Sequence, residues 1–257
     1  MKVTIVGYGF VGQHLADSVR RRAEVTIHDP DKGFVEKNKV DMAFICVPTP
    51  MGPNGEANIS EVTKAISEVD AELYVIKSTV PPGTSRYLME STKKRIVFSP
   101  EYMGESKYYT PPQFPDPERM DQHGFMIVGG LSRDTEEVID FFLPIFGPTC
   151  RFRQMSHTQA EIVKYAENSF FALKVAFANE LREICDAFGA PYHAVREGWM
   201  DDPRVGPMHT AAFKDERGFG GKCLPKDIAA LAFACRDLGH RSPLLEAVIK
   251  ANEEHRG

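Results

Sequence analysis

An apolar stretch from Val3 to Val6 runs directly into Gly7-Tyr8-Gly9-Phe10-Val11-Gly12, and a segment with Val11, Leu15 and Val19 at helical spacing follows it. A strand, a GxGxxG turn and a helix in immediate succession leave few folds open. The first glycine makes the tight turn, the second lets a pyrophosphate approach the backbone, and the third lets the helix pack on the sheet. The pyrophosphate would lie on the helix N-terminus, where unpaired N–H groups and the dipole favour negative charge. A second strand, Val25 to His28, ends at Asp29, 22 residues after Gly7. That is near the ~20 expected of a carboxylate that binds a ribose diol. A carboxylate there repels a 2′-phosphate, so the expected cofactor is NAD rather than NADP. The alternative, a plain glycine turn beside a solvated Asp, lacks a reason for the flanking strand and helix.

The alternation continues. Met42 to Val47, Leu73 to Ile76, Ile96 to Phe98, Met126 to Val128 and a stretch near 150–153 read as strands, with helices over 59–69 and 133–146. Strand–helix alternation with β-branched strands predicts an α/β fold, a Rossmann-type, mostly parallel sheet covered by helices on both faces. Pro30 to Asp41, twelve residues, leaves hardly any room for a crossover helix. Residues 101–124 show no clear period. Beyond about residue 155 the pattern is helical, over 157–188, 191–199, 225–238 and 243–254, with a Gly/Pro-rich irregular stretch at 201–224. Two domains are expected, 1–154 built on the sheet and 155–257 all-helical.

Composition narrows the function classes. Apolar residues are 42% and charged residues 26%, which is ordinary globular usage rather than disorder or coiled coil. A net charge of −5 gives no bulk attraction for nucleic acid. No apolar run reaches the ~18 residues of a membrane span, and the N-terminus reads as a strand rather than a signal peptide. The five cysteines, Cys46, Cys150, Cys185, Cys223 and Cys235, are scattered without CxxC spacing. Neither a disulfide framework nor a metal site is indicated, and a reducing, cytoplasmic setting is expected.

Three segments carry chemistry. Pro48-Thr49-Pro50 and Ser78-Thr79-Val80-Pro81-Pro82 each follow a strand, where ligands of open parallel sheets bind, although turn chemistry alone also explains them. Gly218-Phe219-Gly220-Gly221-Lys222-Cys223-Leu224-Pro225-Lys226-Asp227 puts a cysteine between flexible glycines and a proline suited to a first helical turn. The helix dipole and Lys222 and Lys226 would favour its thiolate, a nucleophile. Lys164 and Asn168 stand one turn apart on one helix face and could bind an oxyanion, or could form a solvated face.

GFGGKCLPKD, AEIVKYAENSFFALKVAFANE, SPEYMGESK, CVPTP and IKSTVPPGTS, together with GYGFVG, resemble the UDP-glucose/GDP-mannose dehydrogenase family, from Met1 to about Asn252. Asp202-Pro203-Arg204-Val205-Gly206 is similar to the family's UDP-glucose branch. The resemblance implies NAD-dependent oxidation of the C6 alcohol of a nucleotide sugar to a carboxylate, of the UDP-glucose to UDP-glucuronate type. Two hydride transfers would pass through a Cys223 thiohemiacetal and thioester. It implies that Lys164 and Asn168 stabilise the oxyanion, that Asp227 and Thr79 handle water or a proton, and that Glu105 acts as base. Val47, Pro48, Thr49, Ser78, Thr79 and Glu105 would join the glycine turn and Asp29 around the cofactor. Glu101-Tyr102-Met103-Gly104-Glu105, Lys164, Asn168, Phe219, Gly220 and Cys223 would contact the sugar, and Arg204 would reach a sugar across a homodimer formed through the 157–188 helix. Polysaccharide biosynthesis is the implied setting. Family members continue into a third, nucleotide-binding domain, which is expected to be lacking here. The competing expectation is a catalytically silent NAD- or nucleotide-binding protein.

Overall fold

The computed structural model describes residues 1–104 and 119–257. The chain divides into two compact units, Met1–Gly52 with Ala57–Lys164, and Pro53–Glu56 with Tyr165–Gly257.

The first unit holds seven strands: β1 (Lys2–Val6), β2 (Glu24–His28), β3 (Val40–Ile45), β4 (Ala71–Ile76), β5 (Ile96–Phe98), β6 (Phe125–Gly129) and β7 (Arg151–Met155). They form one sheet in the order β2-β1-β3-β4-β5-β6-β7. All neighbours are parallel except β5 and β6, which meet antiparallel at Phe98 and Gly129. The sheet is buried on both faces, which explains why VDMAFI and AELYVI are nearly continuous apolar runs. Successive residues point to opposite faces. Phe44 and Val75 join one core with Leu15 and Val19 of α1 (Phe10–Val19) and Phe141 and Phe142 of α4 (Ser132–Phe146). Ile45 and Ile76 join the other, with Val62 and Ile66 of α2 (Ser60–Glu68) and Leu88 of α3 (Thr84–Thr92).

From β1 the chain goes to β2 on one side and then to β3 on the other. The crevice outside the ends of β1 and β3 is therefore the switch point at which such sheets bind ligands. The β2–β3 connection contains a 3-10 turn, Pro30–Lys32, and no α-helix, as its length dictates. Helix α3 is an element the sequence reading lacks. TSRYLMEST has a weak apolar stripe, and α3 is capped from a distant part of the chain.

The second unit contains α5 (His157–Ala187) from Tyr165 onward, α6 (Tyr192–Met200), α7 (Leu224–Asp237) and α8 (Pro243–Arg256). Ala172, Ala176, Phe219, Ile228 and Val248 form its main core, and Ala178, Cys185, Tyr192 and Ala212 a smaller one. The irregular stretch before α7 is tied down at Thr210, whose carbonyl accepts the Tyr192 hydroxyl (2.6 Å) and Arg196 Nε (3.1 Å). Among the described residues no helix is long and apolar enough to cross a membrane.

Candidate active site

In the first unit the glycine turn is built by close approach. Gly7 has φ +87°, and a Cβ there would lie 2.7 Å from the Cys46 carbonyl oxygen. A Cβ on Gly12 would lie 2.0 Å from the Gly7 carbonyl oxygen. Gly9 is the N-cap of α1 and has no heavy atom within 4 Å of its would-be Cβ, so open space lies over its backbone. The first turn of α1, led by Phe10 and Val11, carries no acidic residue and no capping side chain. Its N–H groups are available to an anion.

Asp29 stands beside this turn. Its Oδ2 accepts the Tyr8 N–H at 2.8 Å and lies 3.8 Å from Lys32 Nζ. A carboxylate held to the glycine turn, next to a backbone open at Gly9, fits the ribose and pyrophosphate of a dinucleotide.

The two proline-containing loops meet at the ends of β3 and β4. Thr49 Oγ1 donates to the Thr79 carbonyl (2.8 Å), and Ser78 Oγ to the Val47 carbonyl (2.6 Å). The segment Val47 to Thr49 is thereby tied to Ser78 and Thr79, which gives the hydroxyls of Thr49 and Ser78 a structural role in the loops.

Beyond β5, Glu101 Oε1 accepts the N–H groups of Tyr102 (2.7 Å) and Met103 (2.9 Å), while Oε2 lies 3.6 Å from Lys77 Nζ. Lys77 is buried and also donates to the Pro100 carbonyl (3.2 Å). Burial pushes its pKa down, and the Glu101 charge opposes that. The Tyr102 ring has Lys164 Nζ over its face, 4.6 Å from the centroid. Gly104 closes the described part of this loop, and Glu105 lies outside the described residues.

Lys77 and Glu161 are buried charges that the sequence reading did not single out. Glu161, on α5 one turn before Lys164, accepts the N–H groups of Gly83 (2.6 Å) and Ser85 (2.8 Å) and so caps α3. Burial raises its pKa, against the opposing hydrogen bonds. A lone Lys or Glu has no distinguishing sequence signal when its partner lies dozens of residues away.

In the second unit Cys223 is the exposed N-cap of α7, with Leu224 and Pro225 opening the helix. Asp227, in the first turn, donates its N–H to the Cys223 carbonyl (2.8 Å). Its carboxylate is buried, with Asn168 Nδ2 at 2.5 Å on Oδ2 and Lys226 Nζ at 2.5 Å on Oδ1. The charge of Lys226, expected to act on the thiol, is thus engaged by Asp227. Lys164 and Asn168 are both buried, so they do not form a solvated helix face.

Two asparagines fasten the loop before Cys223. Asn252 accepts the Phe219 N–H (2.6 Å) and donates to the Phe219 carbonyl (3.0 Å), and Asn179 accepts the Gly218 N–H (3.1 Å). The Phe219 ring is core, and the Arg256 guanidinium lies against Gly220, where a Cβ would meet Nη1 at 2.7 Å. Arg204 is exposed and paired bidentately with Asp202.

Residues 34–117 match the UDP-glucose/GDP-mannose dehydrogenase family, NAD binding domain, and residues 158–254 match its central domain. The chain is 31% identical over 230 residues to a UDP-glucose 6-dehydrogenase of Rickettsia bellii, covering 85% of this chain and 50% of the relative. It is 32% identical to the UDP-glucose 6-dehydrogenase TuaD of Bacillus subtilis, covering 84% and 47%. The chain spans about half the length of these curated relatives. A UDP-glucose dehydrogenase structure from Pyrobaculum islandicum superposes with a TM-score of 0.77 at 25% identity, over 98% of this chain and 68% of that one. The match to the family's NAD-binding domain gives NAD as the cofactor of this chain. With both the NAD-binding and the central domain models of one family matched, this chain belongs to the UDP-glucose/GDP-mannose dehydrogenases.

Proposed function

We propose that the chain is an NAD-dependent dehydrogenase that oxidises the C6 alcohol of a nucleotide sugar, of the UDP-glucose type, to the carboxylate through Cys223. The observation that carries this reading is the buried Asn168–Asp227 hydrogen bond in the first turn of the helix that Cys223 caps. A cysteine at a helix N-cap, with a buried carboxylate in the same first turn held by an amide, suits thiol-based oxidation, and holding NAD alone does not call for it.

A four-electron oxidation at one carbon needs a covalent hold on the aldehyde, or the aldehyde diffuses away. In the proposed scheme NAD supplies the hydride acceptor for each two-electron step. The Cys223 thiolate, favoured by the α7 N-terminus, adds to the aldehyde carbon. Oxidation of the resulting thiohemiacetal leaves a thioester. Water then attacks the thioester carbon, the C–S bond breaks, and the thiolate and the carboxylate are released. Lys164 supplies positive charge and Asn168 an amide donor for the oxygen that turns anionic. Asp227 orients the Asn168 amide and takes up a proton from water, with Thr79 assisting. Glu101 shapes the 101–103 backbone that contacts the sugar, and Glu105 is assigned the base role.

A homodimer through α5 belongs to the same proposal. Phe170, Phe177 and Ile184 are exposed at 57%, 48% and 45% and recur every seven residues along one helix. A second copy would cover this stripe, and Arg204 would reach its sugar.

The test is NADH formation with UDP-glucose and a panel of other nucleotide sugars. Two NADH per sugar are expected, with turnover lost and NAD binding kept in Cys223→Ser. NAD binding without turnover of any sugar would overturn the proposal in favour of a silent NAD-binding protein. Turnover that survives Cys223→Ser would point instead to a dehydrogenase working without a covalent intermediate.

A further inference from the structure

The short β2–β3 connection places an aromatic ring beside the ribose carboxylate. Asp29 and Phe34 exchange both backbone hydrogen bonds, Asp29 N–H to the Phe34 carbonyl at 2.8 Å and Phe34 N–H to the Asp29 carbonyl at 3.1 Å. Residues paired in this antiparallel way project their side chains to one face, with Cβ atoms about 5 Å apart. Phe34 is thus a direct neighbour of the carboxylate, and it is 45% exposed. Val35, next along the chain, is 53% exposed.

The turn that carries the ring is anchored. Gly33, at φ +80°, makes the turn that returns the chain to Asp29. The Phe34 ring packs edge-on against Tyr8, with centroids 6.0 Å apart and planes at 71°. Lys32 donates to the Tyr8 carbonyl at 2.5 Å. Downstream, Glu36 accepts the N–H groups of Lys37 (2.9 Å) and Asn38 (2.7 Å) and pairs with Lys2 (3.4 Å). The turn is thus tied down by its neighbours, while the Phe34 ring it carries stays 45% exposed and open to a ligand.

We propose that Phe34 is the stacking platform for the adenine ring of NAD, a wall supplied here by a tight turn instead of a crossover helix. In adenosine the base is bonded to the carbon beside the one that bears the 2′-hydroxyl. A ribose diol held by Asp29 therefore delivers the base next to the Phe34 ring. Base–aromatic stacking rests on the π-face and not on hydrogen bonds, which suits a position offering an exposed ring and Val35. The inference rests on the assignment of NAD to this site and is independent of whether Cys223 turns over a sugar.

The experiment measures binding of NAD and of ADP-ribose by titration calorimetry to the wild type and to Phe34→Ala, Phe34→Leu and Phe34→Tyr. Phe34→Ala and Phe34→Leu are expected to weaken both ligands roughly five- to a hundred-fold. Phe34→Tyr, which keeps the ring, is expected to stay within about two-fold of wild type. Wild-type affinity in Phe34→Ala overturns the platform while leaving the cofactor assignment intact. Retained affinity in Phe34→Leu, or loss in Phe34→Tyr equal to that in Phe34→Ala, overturns stacking as its basis. Failure of the wild type to bind either ligand overturns both assignments. Phe34 is exposed, and thermal unfolding of each variant verifies that the fold persists.

Discussion

Asn168 donates from Nδ2 to Oδ2 of Asp227 at 2.5 Å, and both side chains are buried. Asn168→Leu leaves that carboxylate oxygen without its donor, and the second unit should lose about 1–3 kcal/mol or more of stability. Asn168→Asp is more diagnostic, because two carboxylates at that separation cannot both ionise and one pKa is strongly raised. A raised folded pKa contributes stability below the unfolded value and loses it as pH rises through the folded one. Denaturation midpoints of Asn168→Asp should therefore approach wild type near pH 4 and fall behind toward about pH 8. Parallel profiles would mean that the two side chains do not meet in solution.

Cys223 is exposed at a helix N-terminus, whereas burial pushes the Cys46 thiol up to about 12 and the Cys150 thiol up to about 11. Iodoacetamide at neutral pH should alkylate Cys223 well before either, since the thiolate is the reactive species. Peptide mass spectrometry after partial labelling reads the order directly. Labelling of Cys46 or Cys150 first would contradict the geometry.

Much of this site was legible because its signals are local. Gly7 and Gly12 fill positions where a Cβ would collide with backbone, and a strand and a helix flank them. Pro225 and the glycines before Cys223 announce a helix start. The unread parts are those whose meaning lies across the sheet. Lys77 and Glu101 are 24 residues apart and pair only because β4 and β5 are neighbours. Helix α3 has a thin apolar stripe and takes its cap from Glu161, which no local pattern reveals. The antiparallel β6 is another such case, since strand direction is not written in a strand's own periodicity.

Glu161 offers a pH test. Its folded pKa lies above the ordinary 4.5 because burial disfavours the charge more than its hydrogen bonds favour it. The stability it contributes is fully present below 4.5 and declines as pH rises through the folded value. Glu161→Gln removes that slope. It also sets an amide N–H₂ against one of the two capped N–H groups, at a pH-independent cost of about 1–3 kcal/mol. Urea midpoints across acid pH should be lower in Glu161→Gln at the acid end, with the gap narrowing as pH rises. A constant gap would show that the carboxyl titrates normally.

Asn252 holds both backbone polar groups of Phe219, four residues before Cys223. Asn252→Ala leaves a buried N–H and C=O without partners, costing about 1–3 kcal/mol for each group that water fails to reach. The glycine loop should loosen, so turnover should fall and the Cys223 alkylation rate should change, with NAD affinity unaltered. Loss of NAD affinity in step with turnover would indicate general unfolding rather than a local role.

The stripe on α5 makes the last prediction. Phe177 is half exposed and meets the Trp199 ring edge-on at 5.6 Å. Phe170 and Ile184 lie seven residues to either side of it on the same helix. Phe177→Asp places a charge at the centre of this stripe, where association would have to desolvate it without a partner, at several kcal/mol. Sedimentation at micromolar concentration should show a dimer for the wild type and a monomer for Phe177→Asp, with helix content unchanged by circular dichroism. An exposed lysine of the first unit, Lys64 on α2, provides the control, and Lys64→Asp should leave the dimer intact. A wild-type monomer, or a dimer that survives Phe177→Asp, would remove α5 as the interface.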